Sequence, residues 1–397
     1  MTDERDWSGH AGPDAALAEP PSLRTVFQEW GRIGCIGFGG PPTHIALLRE
    51  LCVRRRKWLT EREFEDAIAA CNLLPGPAST QLAIFCAWRL RGRAGALVGG
   101  VAFIVPGLIV ILALAALFLS GSPPTWVRGA GAGAGAAVAA VAVHAGVGLV
   151  PASWKRAATT HRLRWMVYLA AGGAAAATVG PWLVLVLLAC GGLELALQSR
   201  RGSGMVGVLP AKLALLTGAG GLLSVVWVAF KVGALSYGGG FVIIPLMRSD
   251  AVNHYHWMTG DQFLNAVALG QITPGPVVQT VAVVGYAAAG LVGGVLASIV
   301  AFSPSFAFVL LGARHFDRLR RNDRVRAFLD GAGPAAIGAI FGSAIPLALT
   351  LTQPWQFAVL GGAAILLLAL RRGVVPTLLV AAAAGSLVAV AGIGMPG

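Results

Sequence analysis

Charged residues are scarce in this chain, and their scarcity decides its class. Of 397 residues, 12% are charged and 56% are hydrophobic, with a mean hydropathy of +0.74. A soluble domain carries roughly 25% charged residues, so the composition excludes a water-soluble globular protein. Charge-free stretches at 94–127, 165–193, 262–313 and 331–370 are long enough for membrane-crossing helices. The alternating segments of a transmembrane β-barrel are absent, and we predict an all-α polytopic membrane protein with about 10–13 membrane helices or half-helices.

The cysteines are few, odd in number and never spaced as C-x-x-C. This pattern excludes a disulfide framework or a cysteine-based zinc site, and it is typical of small buried side chains in a reducing compartment. An apolar signal-peptide core is also missing from the first residues. We therefore predict a disordered cytosolic leader over 1–23, and we expect no metal, no cofactor and no catalytic residue.

Acidic residues are outnumbered 17 to 30 by basic ones, which gives a net charge of +13. In a soluble protein this balance would favour nucleic acid as a partner. Here the basic residues lie in short clusters between apolar runs, as in the cytosolic loops of membrane proteins. The lipid bilayer is therefore the predicted partner, nucleic acid is excluded, and the N-terminus is expected in the cytoplasm. The sequence leaves assembly into a homodimer open.

The chain contains an internal duplication. When the sequence is shifted by 199 positions, 31–103 aligns with 230–302 without a gap, with 21 identities in 73 positions. Matched Trp, Pro and Arg positions are hard to obtain by chance in a sequence rich in Ala and Gly. The two repeats are predicted to span 24–200 and 205–397. Internal repeats of this kind favour a transporter.

Basic residues are distributed unequally between equivalent loops of the repeats. The stretch 49–62 contains six Lys and Arg residues, whereas 248–261 keeps only Arg248. Because basic loops stay cytosolic, equivalent loops are expected on opposite sides of the membrane. The repeats are therefore predicted to have inverted topology.

Each repeat carries two helix-breaking motifs in apolar surroundings. The first includes Gly39-Gly40 in one repeat and Gly238-Gly239 in the other; the second is Pro75-Gly76-Pro77 and Pro274-Gly275-Pro276. Proline ends a preceding helix and is well placed to start the next. The N–H groups at such a helix start attract anions. A single motif is equally well explained as a turn without a ligand, but two symmetric copies favour a central substrate site.

Polar side chains flank the breaks symmetrically. The cations Arg32 and Lys231 precede the glycine motifs, and cations embedded in a membrane usually mark function. Arg49 and Arg248 also align, and for them a location at the membrane surface is an equal alternative. Amides and hydroxyls flank the proline turns; they are Asn72, Gln271, Thr80, Gln81, Gln279 and Thr280. Together these groups suit a tetrahedral oxyanion.

Embedded acids are nearly missing, since Glu194 is the only one between Asp66 and Asp250. A cation transporter needs carboxylates near the bilayer midplane, so an anion is the predicted cargo. Exporting a dianion from a negative-inside cell releases roughly 4.6 kcal/mol per 100 mV. Such export needs no proton-binding carboxylate, and the scarcity of acids thus favours efflux.

The combined motifs resemble the chromate ion transporter (CHR) family in its long, two-domain form. In the first repeat they read F-x-x-x-x-R-I-G-x-x-x-F-G-G, W-L-T-x-x-x-F and L-L-P-G-P-A-S-T-Q. The second repeat has F-K-V-G-x-x-S-Y-G-G-G, W-M-T-x-x-x-F and I-T-P-G-P. The resemblance implies export of chromate across the bacterial inner membrane, chromate resistance, and sulfate as a competing analogue. One departure is Gly37, which stands where the second repeat has Ser236.

Other functions stay open at this point. A sulfate or other oxyanion exchanger fits the same charge and shape. A membrane-embedded, thiol-dependent chromate reductase would use the five cysteines, although no haem or nucleotide motif accompanies them. A structural or receptor protein leaves the paired breaks and cations unexplained.

Overall fold

The structure is a computed structural model that describes residues 19–71, 76–119, 123–157, 161–178, 183–199, 221–236, 243–312, 322–392 and 394. Within these residues every regular element is helical. The first repeat comprises α1 (Leu23–Ile36), α2 (Pro41–Arg49, continued by a π-helix over Glu50–Arg55), α3 (Glu61–Cys71), α4 (Ala78–Phe118), α5 (Thr125–Arg156), α6 (Arg162–Thr178) and α7 (Leu183–Ser199).

The second repeat follows the same order of elements. It comprises α8 (Leu222–Leu235), α9 (Ile243–Arg248, continued by a π-helix over Ser249–His254), α10 (Gly260–Ile272), a 3₁₀ turn (Val277–Gln279), α11 (Thr280–Gly312), α12 (Asp323–Ala348), α13 (Pro354–Ala364, continued by a π-helix over Ile365–Ala369) and α14 (Val374–Val390).

The all-α polytopic membrane class is confirmed. In the part of the chain that the structure describes, four helices are long and apolar enough to cross a membrane: α4, α5, α11 with its preceding turn, and α12. Many large apolar side chains are exposed on the outer helix faces, among them Ile109, Leu291 and Leu387. Such a surface suits hydrocarbon and not water.

The helix α4 folds back on itself. At Arg91 and Gly92 its backbone leaves helical geometry, with φ +58° at Gly92. Ala87 touches Gly95 and Gly99, although these positions would lie roughly 12 and 18 Å away along a straight helix. The element is therefore a half-helix, α4a (78–90), followed by a spanning helix, α4b (93–118).

The same fold-back occurs in the second repeat, one residue out of register with the gapless alignment. The backbone breaks at Ala289 and Gly290, and the positive φ of Gly290 (+62°) matches that of Gly92. The alignment had paired Gly92 with Leu291, and that pairing is wrong. The half-helix α11a (280–288) starts after a 3₁₀ turn, whereas α4a starts directly after its proline, and the spanning helix is α11b (291–312).

The spanning helices α4b and α11b pack side by side in opposite directions. Gly100 lies against Phe306, and Leu112 lies against Gly294, so residue numbers rise along one helix as they fall along the other. The spanning helix α4b and its counterpart α11b are thus antiparallel.

The remaining helices interlock the repeats. The long helix α5 packs against α13 and α14 of the second repeat, and its counterpart α12 packs against α6 and α7 of the first. Small residues allow the backbones to approach closely, as at Gly172, where a Cβ atom would collide with the backbone of Ala335. Such small-residue contacts are the usual means of packing helices in a membrane.

The predicted leader over 1–23 lies only partly within the described residues. Of the predicted leader, 1–18 lie outside them, while Ser22 caps α1 through a bond from the Thr25 N–H and Leu23 begins the helix.

Of the cysteines, four are buried as predicted, but Cys35 is exposed on α1. It lies on the same outer side of this helix as the neighbouring exposed Ile36.

Candidate functional site

Two hydrogen bonds join the helix breaks of one repeat to those of the other. The Gly76 N–H donates to the carbonyl of Ser236 over 2.8 Å, and the Gly275 N–H donates to the carbonyl of Gly37 over 3.0 Å. Both pairs occupy equivalent positions in the alignment, so each proline turn is completed by the end of the other repeat's first helix. We call this meeting point, formed by Gly37–Gly40, Gly76–Pro77, Ser236 and Pro274–Pro276, the central crossing.

Glycine is required at both turns of the central crossing. Gly76 has φ +117° and Gly275 has φ +92°, values that L-residues with a Cβ rarely adopt. A Cβ at Gly76 would also lie 2.5 Å from Nε2 of Gln81. In the first glycine motif, Gly39 and Gly40 have φ +97° and +75°. The glycines predicted from sequence therefore have a conformational role at the breaks.

The central crossing lies halfway along the spanning helices. Gly107 of α4b lies directly against the Pro274 carbonyl, so closely that a Cβ atom would collide with it. At 1.5 Å per residue, Gly107 is roughly 21 Å from the start of α4b and 16 Å from its end. In the other repeat, Ser305 of α11b holds the matching position beside Gly76.

The polar residues that follow the proline turns are buried. Gln279 donates through Nε2 to the carbonyl of Ile104 (3.0 Å) and accepts from the Ser298 hydroxyl (3.1 Å). Thr280 donates to the carbonyl of Val277 over 2.8 Å. The Gln279 bond holds the second turn against α4b, and the Thr280 bond closes the 3₁₀ turn itself. Both side chains thus have a structural role.

Other polar groups at the breaks are buried without a partner. Within the described residues, the Thr80 hydroxyl and the Gln271 amide nitrogen make no hydrogen bond, and the exposure of either residue is 6% or less. The same holds for the hydroxyls of Ser236 and Ser305. An orphaned buried donor costs about 1–3 kcal/mol, so such a set marks a place where a ligand or water completes the bonding.

The two serines were missed as site residues from sequence. Ser236 could have been found, because it replaces Gly37 at an aligned position of the glycine motif. Ser305 follows Pro304 inside an apolar run, and no local pattern singles it out. Its place beside Gly76 depends on the packing of α11b across the repeats.

Four predicted site residues, Asn72, Pro75, Gly238 and Gly239, lie outside the described residues. The remaining turn residues, Pro77, Pro274 and Pro276 among them, are buried at the central crossing.

The predicted cations Arg32 and Lys231 have different surroundings. Arg32 is 58% exposed and has Glu29 at 3.8 Å. Lys231 is 22% exposed and forms a 2.6 Å ion pair with Asp250, with its ammonium 5.5 Å from the Trp227 ring. Arg32 therefore lies on an outer face of α1, and the charge of Lys231 is balanced by an acid 19 residues away in sequence.

Arg49 is fully engaged by its own repeat. Its Nε lies 3.3 Å from Glu61, its terminal nitrogen pairs with Glu65, and its guanidinium covers the Phe64 ring at 5.4 Å. Two carboxylates thus neutralise this cation at the start of α3.

Arg248 has no such partners. The aligned positions of the two carboxylates hold Gly260 and Leu264. Within the described residues Arg248 forms no ion pair, and its guanidinium donates a 3.3 Å hydrogen bond to the Thr350 hydroxyl. The two aligned arginines therefore differ in net local charge.

A second polar cluster lies apart from the central crossing, around a cavity of about 210 Å³ between α5, α6, α7 and α12. Glu194 is buried there and accepts hydrogen bonds from Tyr168 and Gln198, each at 2.9 Å. Arg164 lies 3.3 Å and His161 lies 3.9 Å from its carboxylate. Because the carboxylate is already satisfied and negative, this cluster is a poor receptor for an anion.

The family comparison covers most of the chain. A family model described as chromate transporter matches residues 24–194 and 223–389. A chromate transport protein of Cupriavidus metallidurans is 32% identical over 340 residues, which are 82% of this chain and 83% of the relative.

Two further relatives have similar coverage. A chromate transport protein of Pseudomonas aeruginosa is 29% identical over 355 residues, 84% of this chain and 83% of the relative. A probable chromate transport protein of Synechococcus elongatus is 28% identical over 341 residues, 82% and 84% of the two chains. No solved structure matches this chain.

Proposed function

The chain belongs to the chromate transporter family, and from this premise we propose that it exports chromate from the cytoplasm through the central crossing. Chromate is a tetrahedral dianion, and export of it would give resistance. The protein acts as a secondary transporter of the bacterial inner membrane and not as an enzyme, and sulfate competes for the same site.

The observation that carries this proposal is the reciprocal pair of hydrogen bonds between the repeats, Gly76 to Ser236 and Gly275 to Gly37. They bring four helix breaks together halfway along two antiparallel spanning helices. Broken backbone at that depth is tolerated where it lines a cavity. A site at the junction of two equivalent halves is suited to alternating access, since the halves can exchange conformations around it.

Substrate binding is assigned to the groups at and around the central crossing. The turn and motif residues are Gly39, Gly40, Gly238, Gly239, Pro75, Gly76, Pro77, Pro274, Gly275 and Pro276. The polar residues are Asn72, Gln271, Thr80, Gln81, Gln279 and Thr280. Arg32 and Lys231 supply positive potential, and Arg49 and Arg248 form a second tier, in which the unpaired Arg248 is the stronger candidate.

Purified protein reconstituted into liposomes tests the transport function. Labelled chromate should cross the membrane, and excess sulfate should reduce the flux. A variant without its five cysteines should keep the activity, because no thiol takes part in transport. Chromate that is consumed without being moved would instead favour the thiol-dependent reductase, and sulfate flux unaffected by chromate would favour a sulfate exchanger.

Inverted topology, with a cytoplasmic N-terminus, accompanies the proposed mechanism. Two observations support it. The helices α4b and α11b are antiparallel. The stretches 49–62 and 89–93 contain nine Lys and Arg residues, whereas 248–261 contains one. In a cysteine-free background, the single substitutions Arg55→Cys and His254→Cys should be labelled by an impermeant thiol reagent from opposite sides of the membrane. Labelling of both from one side would contradict inversion.

A further inference from the structure

The two proline turns of the central crossing match in backbone but not in the side chains around them. Two serines adjoin the Gly76 turn: its N–H donates to the backbone carbonyl of Ser236, and a Cβ atom at Gly76 would lie 3.3 Å from the Ser305 hydroxyl. At the Gly275 turn the equivalent positions are Gly37 and Gly107. The Gly76 turn therefore adjoins two serines at positions where the Gly275 turn has two glycines.

At the glycine-lined turn the backbone of α4b packs directly against the proline turn. The Cα atoms of Gly275 and Gly107 must lie close, because a Cβ atom at Gly275 would be 3.7 Å from the Gly107 Cα. A Cβ atom at Gly107 would collide with the carbonyl of Pro274. Backbone packs on backbone here, and Gly37 and Gly107 offer no side-chain donor to a ligand.

The hydroxyls at the other turn are buried and unsatisfied. Thr80, Ser236 and Ser305 are each 0% exposed, and none of their hydroxyls has a hydrogen-bond partner among the described residues. Buried hydroxyls elsewhere in the bundle are bonded, as Ser343 is to the carbonyl of Ile340 at 2.7 Å. The unsatisfied hydroxyls are thus a local feature of the Gly76 turn.

We propose that the transported anion occupies a single asymmetric site at the Gly76 turn, where the hydroxyls of Thr80, Ser236 and Ser305 donate hydrogen bonds to it. This inference rests on the proposed function and names the donors of that site. The ligand class is a tetrahedral oxyanion, whose oxygens accept hydrogen bonds in several directions. Hydroxyls are neutral and rotate freely, so they can hold a dianion without the fixed counter-charge that would slow its release.

Sulfate binding to the purified protein tests the inference, because sulfate is a non-oxidising tetrahedral dianion. The variants are Ser236→Ala with Ser305→Ala, and separately Thr80→Val. Losing donors to a charged group should weaken sulfate affinity at least tenfold in the double variant. Ser343→Ala, which removes a buried but satisfied hydroxyl away from the site, is the matched control and should bind like the wild type.

Thermal unfolding separates a ligand role from a structural one. Without sulfate, the double variant should unfold at the same temperature as the wild type or higher, since it loses unsatisfied buried groups. Added sulfate should raise the unfolding temperature of the wild type and of Ser343→Ala but not that of the double variant.

Two outcomes would overturn the inference in distinguishable ways. Unchanged sulfate affinity in the double variant and in Thr80→Val, beside a wild type that binds sulfate and transports chromate, would remove the asymmetric site and leave the proposed function standing. A wild type that binds neither sulfate nor chromate and transports neither would overturn the proposed function and the site with it.

Discussion

Replacing Gly76 with alanine is expected to abolish chromate transport and to lower the stability of the protein. The residue has φ +117°, and a Cβ atom there would press on the Gln81 amide. Holding an L-residue in such a conformation costs about 1–3 kcal/mol, and the hydrogen bond to Ser236 would be displaced as well. We expect transport to fall more than tenfold, measured as labelled chromate flux, with a lower unfolding temperature.

Two other glycines serve as controls for this substitution. Gly92 also has a positive φ, but a Cβ atom there would meet open space. Gly92→Ala therefore measures the effect of backbone strain at a position away from the central crossing. Gly361→Ala adds a methyl group to an uncrowded helical site and should be neutral or slightly stabilising. Full transport by Gly76→Ala would mean that the contact between the repeats has no part in the mechanism.

Removing the acid beside Lys231 is expected to tighten anion binding. The Asp250→Asn variant frees an ammonium that lies five residues before Ser236, or about 7.5 Å along the helix axis. At an effective dielectric constant of about 20, a unit charge about 10 Å away stabilises a dianion by roughly 3 kcal/mol. Allowing for screening, sulfate affinity should rise roughly tenfold, and in Lys231→Met it should fall by a similar factor.

Calorimetric titration with sulfate should give a definite order of affinities. Asp250→Asn should bind sulfate more tightly than the wild type, and the wild type should bind it more tightly than Lys231→Met. Asp323→Asn, an exposed carboxylate at the start of α12, removes a negative charge away from the central crossing and should leave the affinity unchanged. Equal affinities in all four proteins would show that the Lys231–Asp250 pair does not act on the substrate.

Local sequence chemistry explains how much of the fold could be predicted. Pro-Gly-Pro and Gly-Gly carry their own conformational preferences, so the breaks at Gly39–Gly40 and Pro274–Pro276 were recognisable without any tertiary information. The charge-free apolar stretches likewise indicate membrane-crossing helices. The gapless alignment conceals the one-residue shift between the breaks at Gly92 and Gly290. A 3₁₀ turn in one repeat replaces helix in the other, and the two segments have similar compositions.

The partners of polar groups could not be predicted, because they are set by contacts between distant segments. The sequence marks Lys231 as an embedded cation, and the fold places Asp250, from the π-helix that continues α9, against it. Conversely, Ser305 looks like an ordinary residue of an apolar helix until the Gly76 turn of the other repeat is placed beside it. Sequence therefore located the breaks within the described residues and Thr80 beside one of them, but not the ion pair of Lys231 or the place of Ser305.

Chromate movement in membrane vesicles of defined orientation tests export through the central crossing most directly. Labelled chromate should accumulate in inside-out vesicles with a positive interior potential, excess sulfate should reduce the uptake, and the variant with Ser236→Ala and Ser305→Ala should lose it. Accumulation instead in right-side-out vesicles against a negative interior potential, or equal uptake by that variant and the wild type, would contradict the proposed export through this site.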